Sequence, residues 1–384
     1  ALAIAEETGS LEAIAGAQHY LTNIYWTLGD YAAAVSSQEK VIALNKQRGL
    51  RFFPYHLIVL SALLHETSRY EESLNLKRGA YAQAKAAGDW YNVGYSANGL
   101  GVIMRELGYD EEAEKYFREA LEASERVNNA AQTSSSFSLL GSLYLSRGDA
   151  EGSLPLLHRS LEEARKGPEP LRRVSALLQL GNACRMKKEL TEADRNYGEA
   201  LEEARRSGWK ALVFDCLAAR GGLAIREQKD AERARSIAEE ASAVARQVAA
   251  PEILSDAHRL QAQAAQMEGR NALAISHYRE ALRLVEDVRG WQETSQWREA
   301  FLGGQLDLYE ELVELLLDEK AVSRWPLAVS EENPNLANSQ PPTANGSLRE
   351  AFAVAERMKS RSFLDELGAA KLARAGAPEE MLQQ

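Results

Sequence analysis

A small side chain recurs along this chain at Ala34, Ser73, Ala113, Ser153, Ala193, Ala234 and Ala274, at intervals of 39, 40, 40, 40, 41 and 40 residues. No other feature restricts the fold as strongly. A fixed period in this range belongs to arrays of helical hairpins, each too small to bury a core alone and each leaning on its neighbours. The stretch from Gly99 to Glu125 displays one unit. A first helix carries Leu100, Gly101 and Met104 on one face, and a turn follows at Leu107-Gly108-Tyr109. A second helix then presents Ala113, Phe117, Ala120 and Leu121 at the 3-4 spacing of a single apolar face. Gly101 and Ala113 leave room for the two backbones to approach, and Tyr116, Phe117 and Leu121 fill the space around that contact. The expectation is an all-α fold, and no strand pattern competes with it.

Turns are expected at Gly29-Asp30, Arg69-Tyr70, Gly108-Tyr109, Gly148-Asp149, Lys188-Glu189, Lys229-Asp230 and Gly269-Arg270, where glycine or a polar residue supplies each helix stop. Leu-Gly pairs sit in the preceding helices at Leu100-Gly101, Leu140-Gly141 and Leu180-Gly181. Together these features resemble the tetratricopeptide repeat family, in the variant with about forty residues per repeat. The resemblance runs from about residue 1 to 284 and implies a right-handed α-solenoid of tetratricopeptide-type helix hairpins. Single units depart from it: Thr22 and Ser61 replace the glycine, and Gly221-Gly222 stands where Leu-Gly is expected. On this reading residues 1–16 are the tail of a preceding repeat that begins outside the chain, and residues 17–290 make seven helix pairs.

The period ends after Gly290. Residues 291–319 read as one longer helix. Residues 320–346 hold four prolines (Pro326, Pro334, Pro341, Pro342) among many Asn and Ser, a composition that packs no core and reads as a flexible insertion. Helical pattern returns in residues 347–384, with Ser347 as the expected N-cap and Glu350 three residues on. Several of these C-terminal positions form a second pattern. It comprises Tyr278, Ala281-Leu282, Val285-Glu286-Asp287, Arg289, Phe301-Leu302, Tyr309 to Val313, Ala351-Phe352, Ala355-Glu356-Arg357 and Arg361 to Asp365. That pattern is similar to the segment leading into the caspase-like CHAT domain, which follows tetratricopeptide arrays in many bacterial proteins. The resemblance implies a downstream His/Cys protease-like domain beyond Gln384, with neither of its catalytic residues in this chain.

The totals narrow the function classes. A formal charge of -11 argues against generic nucleic-acid binding, which needs a basic footprint. Leu57 to Leu64 is the longest apolar run and is too short to span a membrane. Cys184 and Cys216 fall on helical faces that suit small apolar packing, and so few cysteines fit a reducing, cytoplasmic compartment. His19, His56, His65, His158, His258 and His277 show no metal-ligand spacing, and Gly99-Leu100-Gly101 lies within a helix with no strand before it. No cofactor, metal or catalytic constellation emerges.

What remains is a surface. Each residue advances about 100° around a helix, so positions a quarter turn from the Leu-Gly seam line the concave side. They include His19, Asn23, Trp26, Tyr55, Tyr95, Asn98, Arg105, Ser138, Asn182, Arg185, Arg226 and Arg259. In an acidic chain, Arg105, Arg185, Arg226 and Arg259 share that stripe with Asn98, Asn182 and Tyr95. Such residues satisfy the carboxylates and backbone of an extended peptide. The expected function is a non-catalytic protein-binding scaffold that takes a partner protein or an extended, acidic peptide in its concave groove. It would serve as the sensing or regulatory arm of a CHAT-type protease. The alternative is the sensor or oligomerisation arm of a signalling or transcription regulator.

Overall fold

The computed structural model describes residues 2–50, 54–248, 250–290 and 305–317, together with Glu350, Ala351 and Val354. Every described element is helical. In chain order they are α1 (Leu2–Thr8), α2 (Leu11–Leu28), α3 (Tyr31–Gln47), α4 (Pro54–Glu66), α5 (Tyr70–Ala87), α6 (Trp90–Glu106) and α7 (Asp110–Arg126). Then come α8 (Ala130–Ser146), α9 (Ala150–Ala164), α10 (Pro170–Met186), α11 (Leu190–Ser207) and α12 (Lys210–Leu223), which runs into a π-helical turn at Ala224–Gln228. They are followed by α13 (Ala231–Val248), α14 (Pro251–Met267), α15 (Asn271–Gly290) and α16 (Leu306–Leu317). Two compact units emerge: Ala1–Leu223 with Val244–Ala250, and Ala224–Ala243 with Pro251–Gln384.

The first unit is an α-solenoid of hairpins α2–α3, α4–α5, α6–α7, α8–α9 and α10–α11, extended by α12. What fastens each hairpin is steric. A Cβ on Gly101 would lie 2.5 Å from the Phe117 ring, one on Gly141 2.4 Å from Leu157, and one on Gly181 2.4 Å from the Tyr197 ring. Each large side chain stands 16 residues after its glycine. Phe117, Leu157 and Tyr197 are almost wholly buried. Where the glycine is replaced, the same register position changes character: Gln38 follows Thr22 and Lys77 follows Ser61. Gln38 Nε2 donates to the His56 carbonyl at 2.9 Å. Lys77 Nζ donates to Ser73 Oγ at 3.1 Å, and that hydroxyl donates to the Ser61 carbonyl at 2.7 Å.

One hydrogen-bond pattern closes most of the turns. Gly29 N donates to the Trp26 carbonyl and Asp30 N to that of Tyr25. The pair recurs at Ser68/Arg69, Gly108/Tyr109, Gly148/Asp149, Lys188/Glu189 and Gly269/Arg270, each built on a left-handed residue that ends the helix. The sixth hairpin differs. Helix starts Pro170 and Lys210 stand 40 residues apart, but the left-handed Lys188 and Lys229 stand 41 apart. The extra residue is absorbed as the π-helical turn, with Asp230 N reaching back to the Ala224 carbonyl. The one 41-residue interval in the sequence is therefore a π insertion, and Gly221 keeps the seam register ahead of it.

The second unit packs α15 on α14 and α16. Tyr278, Ala281, Leu282 and Val285 meet Leu308, Tyr309, Leu312, Leu315 and Leu316, with Ala351 and Val354 closing the cluster. Arg279 holds Glu350 through two hydrogen bonds of 2.7 and 2.5 Å. The described residues of the CHAT-like pattern are mostly core and ion-pair residues, among them Tyr278, Leu282, Tyr309, Leu312 and Ala351 in the core and Glu311 in an ion pair. Two boundaries differ from the sequence reading. The first pair starts at Leu11 rather than residue 17, because Ser10 caps it by accepting from Ala13 N. Within 291–319, the described helix is Leu306–Leu317. The 320–346 insertion and the 347–384 helix, apart from Glu350, Ala351 and Val354, lie outside the described residues.

Two outcomes follow from this packing. Gly141→Leu forces a side chain into the Leu157 contact and is expected to cost about 1–3 kcal/mol, measured by denaturant unfolding; unchanged stability would refute the seam. Burial pushes the Lys77 ammonium down to about 8, partly opposed by Glu106 and Glu66. Between that value and the ordinary 10.5 the folded chain holds fewer protons here than the unfolded one, so this site's contribution to stability rises with pH. Lys77→Met is therefore expected to raise Tm at pH 7 and to lose its advantage as pH climbs above 8. A gain that is independent of pH would contradict the assignment.

Candidate partner-binding groove

The first helices of successive hairpins form the inner layer of the first unit. Contacts run from α4 to α6, α8, α10 and α12, and α12 then packs back against α2. The return is marked by Trp26 and Trp209, whose rings lie 6.2 Å apart. Beside it, a Cβ on Gly29 would lie 3.0 Å from the Val248 backbone. The buried Tyr31 phenol, hydrogen-bonded to Glu66 and close to Asp215 of α12, has its pKa raised by burial and then by those two carboxylates. Six inner helices thus complete a turn. Helix axes spaced about 8–10 Å apart stand on a circle of roughly that radius, and helix radii of about 5–6 Å leave a bore a few ångströms in radius.

The predicted groove residues divide into distinct roles. Asn98 is a correction: only 7% exposed, it donates to Ser136 Oγ at 2.9 Å and joins α6 to α8 rather than facing the groove. Arg105 is half-buried and reaches Ser142 Oγ at 2.8 Å, while Ser138 and Ser175 meet at 3.3 Å. These inner-face polar groups stitch neighbouring helices side to side. Asn182 accepts from the Tyr197 hydroxyl at 2.6 Å, within its own hairpin, and stays partly accessible. Arg185 is half-buried on α10.

Arg226 and Arg259 belong to the second unit. Arg226 is exposed on the π-helical turn. Arg259 is a further correction: Glu311 takes its guanidinium at 2.6 and 3.1 Å, and Gln263 donates to both oxygens of that carboxylate. Its first role is to tie α14 to α16.

Tyr95, on α6, is half-buried. Its ring lies 5.2 Å from that of Tyr91, and its hydroxyl accepts from Arg172 at 3.5 Å. Arg172 also donates to the Ala131 carbonyl at 2.7 Å and pairs with Glu169. Tyr91 and Arg172 escaped the sequence reading, which followed only positions beside the Leu-Gly seam. The signal was there in register: Tyr55 and Tyr95, equivalent across two repeats, are followed by Ser135 and Ser175. The serines clear the space that Arg172 crosses.

Among the described residues, no three His, Cys, Asp or Glu side chains converge as a metal site, and no helix is long and apolar enough to cross a membrane. Cys184 and Cys216 are buried, and burial pushes the Cys216 thiol up to about 12, with Asp215 adding to the effect.

Models of the tetratricopeptide repeat match residues 21–48 and 56–126, so the chain carries such repeats. No curated protein matches it at a significant level. Among solved structures, a Rap protein complexed with Competence and Sporulation Factor is similar at 12% identity, over 90% of this chain and 99% of that one, with a TM-score of 0.53. A signal transduction ATPase with a tetratricopeptide repeat sensor, from Pyrococcus horikoshii, is similar at 13% identity over 89% of this chain, with a TM-score of 0.51. This chain spans 53% of that ATPase. At these identities the likeness is one of fold.

The closure of the inner layer has a direct test. Trp209→Ala removes one ring of the pair, a loss of about 0.5–1.5 kcal/mol beyond its area burial. Hydrogen exchange is expected to rise in the C-terminal turns of α2 and the start of α12, with α6 to α9 unchanged. Uniform exchange throughout would contradict the closure.

Proposed function

We propose that the first unit is a protein-interaction module that takes an extended, acidic segment of a partner along its inner face and performs no chemistry of its own. The observation that carries this reading is the closed inner layer with its narrow bore. Arg105 and Arg185 would meet the segment's carboxylates, Asn182 its backbone, and Tyr95 its apolar parts. Exposed ion pairs contribute only about 0.2–1 kcal/mol each, so affinity depends on several acting along the groove. That a Rap protein of similar fold is complexed with Competence and Sporulation Factor agrees with a segment-binding role.

The C-terminal resemblance supports a second element of the proposal. The module would act as the sensing arm of a CHAT-type caspase-like protease domain, and the core contacts of Tyr278, Tyr309 and Ala351 would carry its state toward that domain. In the full-length protein, occupancy of the groove is then expected to change the peptidase rate.

The decisive measurement is titration of the natural partner at two salt concentrations. Arg105→Glu with Arg185→Glu is expected to weaken binding at least about tenfold with helix content intact, and wild-type affinity is expected to fall as salt rises. Equal affinities throughout would move the interface off the inner face.

A further inference from the structure

One end of the inner face differs from the rest. Elsewhere along the inner layer Asn98, Ser138 and Leu145 are each under 9% exposed, while Arg105, Asn182 and Arg185 are half-buried. At the N-terminal ends of α4 and α6 exposure is higher. Tyr55 and Tyr91 are large, lie on the inner layer, and remain 38% and 42% exposed. Tyr91 stacks edge-on with Tyr95, and the His19 ring lies 5.6 Å from Tyr55 at a 72° tilt. Tyr55 also sits near enough to Tyr95 and Glu169 for both to raise its pKa, after burial itself. Burial pushes Tyr91 up to about 12, so its phenol stays protonated and neutral. An uncovered aromatic cluster of this kind is the composition found at the anchor points of interfaces.

We infer that Tyr55, Tyr91 and Tyr95, bordered by His19 and Arg172, form an anchor subsite for one uncharged aromatic side chain of the bound segment. This rests on the groove reading above and specifies what the segment must carry. Charge selects the occupant. The Arg172 guanidinium is balanced by Glu169, and burial with the nearby His19 holds His56 down at about 4, so it is neutral at pH 7. No net charge at this end draws an ion, and a flat apolar ring gains contact with three others. His19 borders the cluster, with its Nε2 3.5 Å from Asn23 Nδ2. The segment thus pairs an aromatic residue at this end with acidic residues toward Arg105 and Arg185.

Isothermal titration of the full chain with two blocked acidic hexapeptides tests this, one with a central tryptophan and the other with alanine in its place. The tryptophan peptide is expected to bind at least about tenfold tighter. Tyr55→Ala with Tyr91→Ala is expected to bring it down to the alanine peptide, whereas Tyr91→Phe keeps the preference. The wild-type comparison stands even if the alanine variants fold poorly, and circular dichroism reports whether they do. Equal affinity of the two peptides for wild type, with both lost in Arg105→Glu and Arg185→Glu, overturns the subsite and leaves the groove reading standing. Binding of neither peptide overturns both.

Discussion

A single steric contact, repeated, underlies the first unit. In three of its hairpins a large side chain of the second helix lies too close to a first-helix glycine for that position to accept a Cβ: Gly101 with Phe117, Gly141 with Leu157 and Gly181 with Tyr197. Close packing makes such contacts intolerant of added volume. They therefore fix the depth and angle of each hairpin, and through it the surface offered to the next. The variant pairs obey the same geometry with different chemistry. Where Ser61 replaces glycine, the Lys77 stem passes into the core, and a hydroxyl of Ser73 takes its ammonium.

Between hairpins, polar contacts do the comparable work. Asn98 with Ser136, Arg105 with Ser142, and Ser138 with Ser175 join inner helices edge to edge. Each such bond contributes about 1 kcal/mol net. Their importance lies in direction, because each limits how far one hairpin rotates against the next. Accumulated over six helices, that rotation brings Trp209 against Trp26.

The same contacts explain why a stripe read from helical phase divides when side chains are placed. A position facing the axis of a wide superhelix faces its neighbour in a tight one. Asn98 and Arg259 illustrate this, the first engaged by Ser136 and the second by Glu311. Tyr55 and Tyr95 are followed at the equivalent position by Ser135 and Ser175, and the Arg172 guanidinium reaches the Tyr95 hydroxyl.

By itself the sequence determined the helical hairpins, their forty-residue register, the seam glycines and the turn positions. These depend on local periodicity and on residues close along the chain. The single 41-residue interval was also visible there, although its form as a π-helical turn was not. Only the tertiary structure decided which inner-face groups stay accessible. That depends on contacts between residues about 40 and 77 positions apart, such as Arg172 with Ala131 and with Tyr95. A one-dimensional pattern carries the phase of each helix but not the small rotation between successive hairpins, and that rotation brought α12 back to α2.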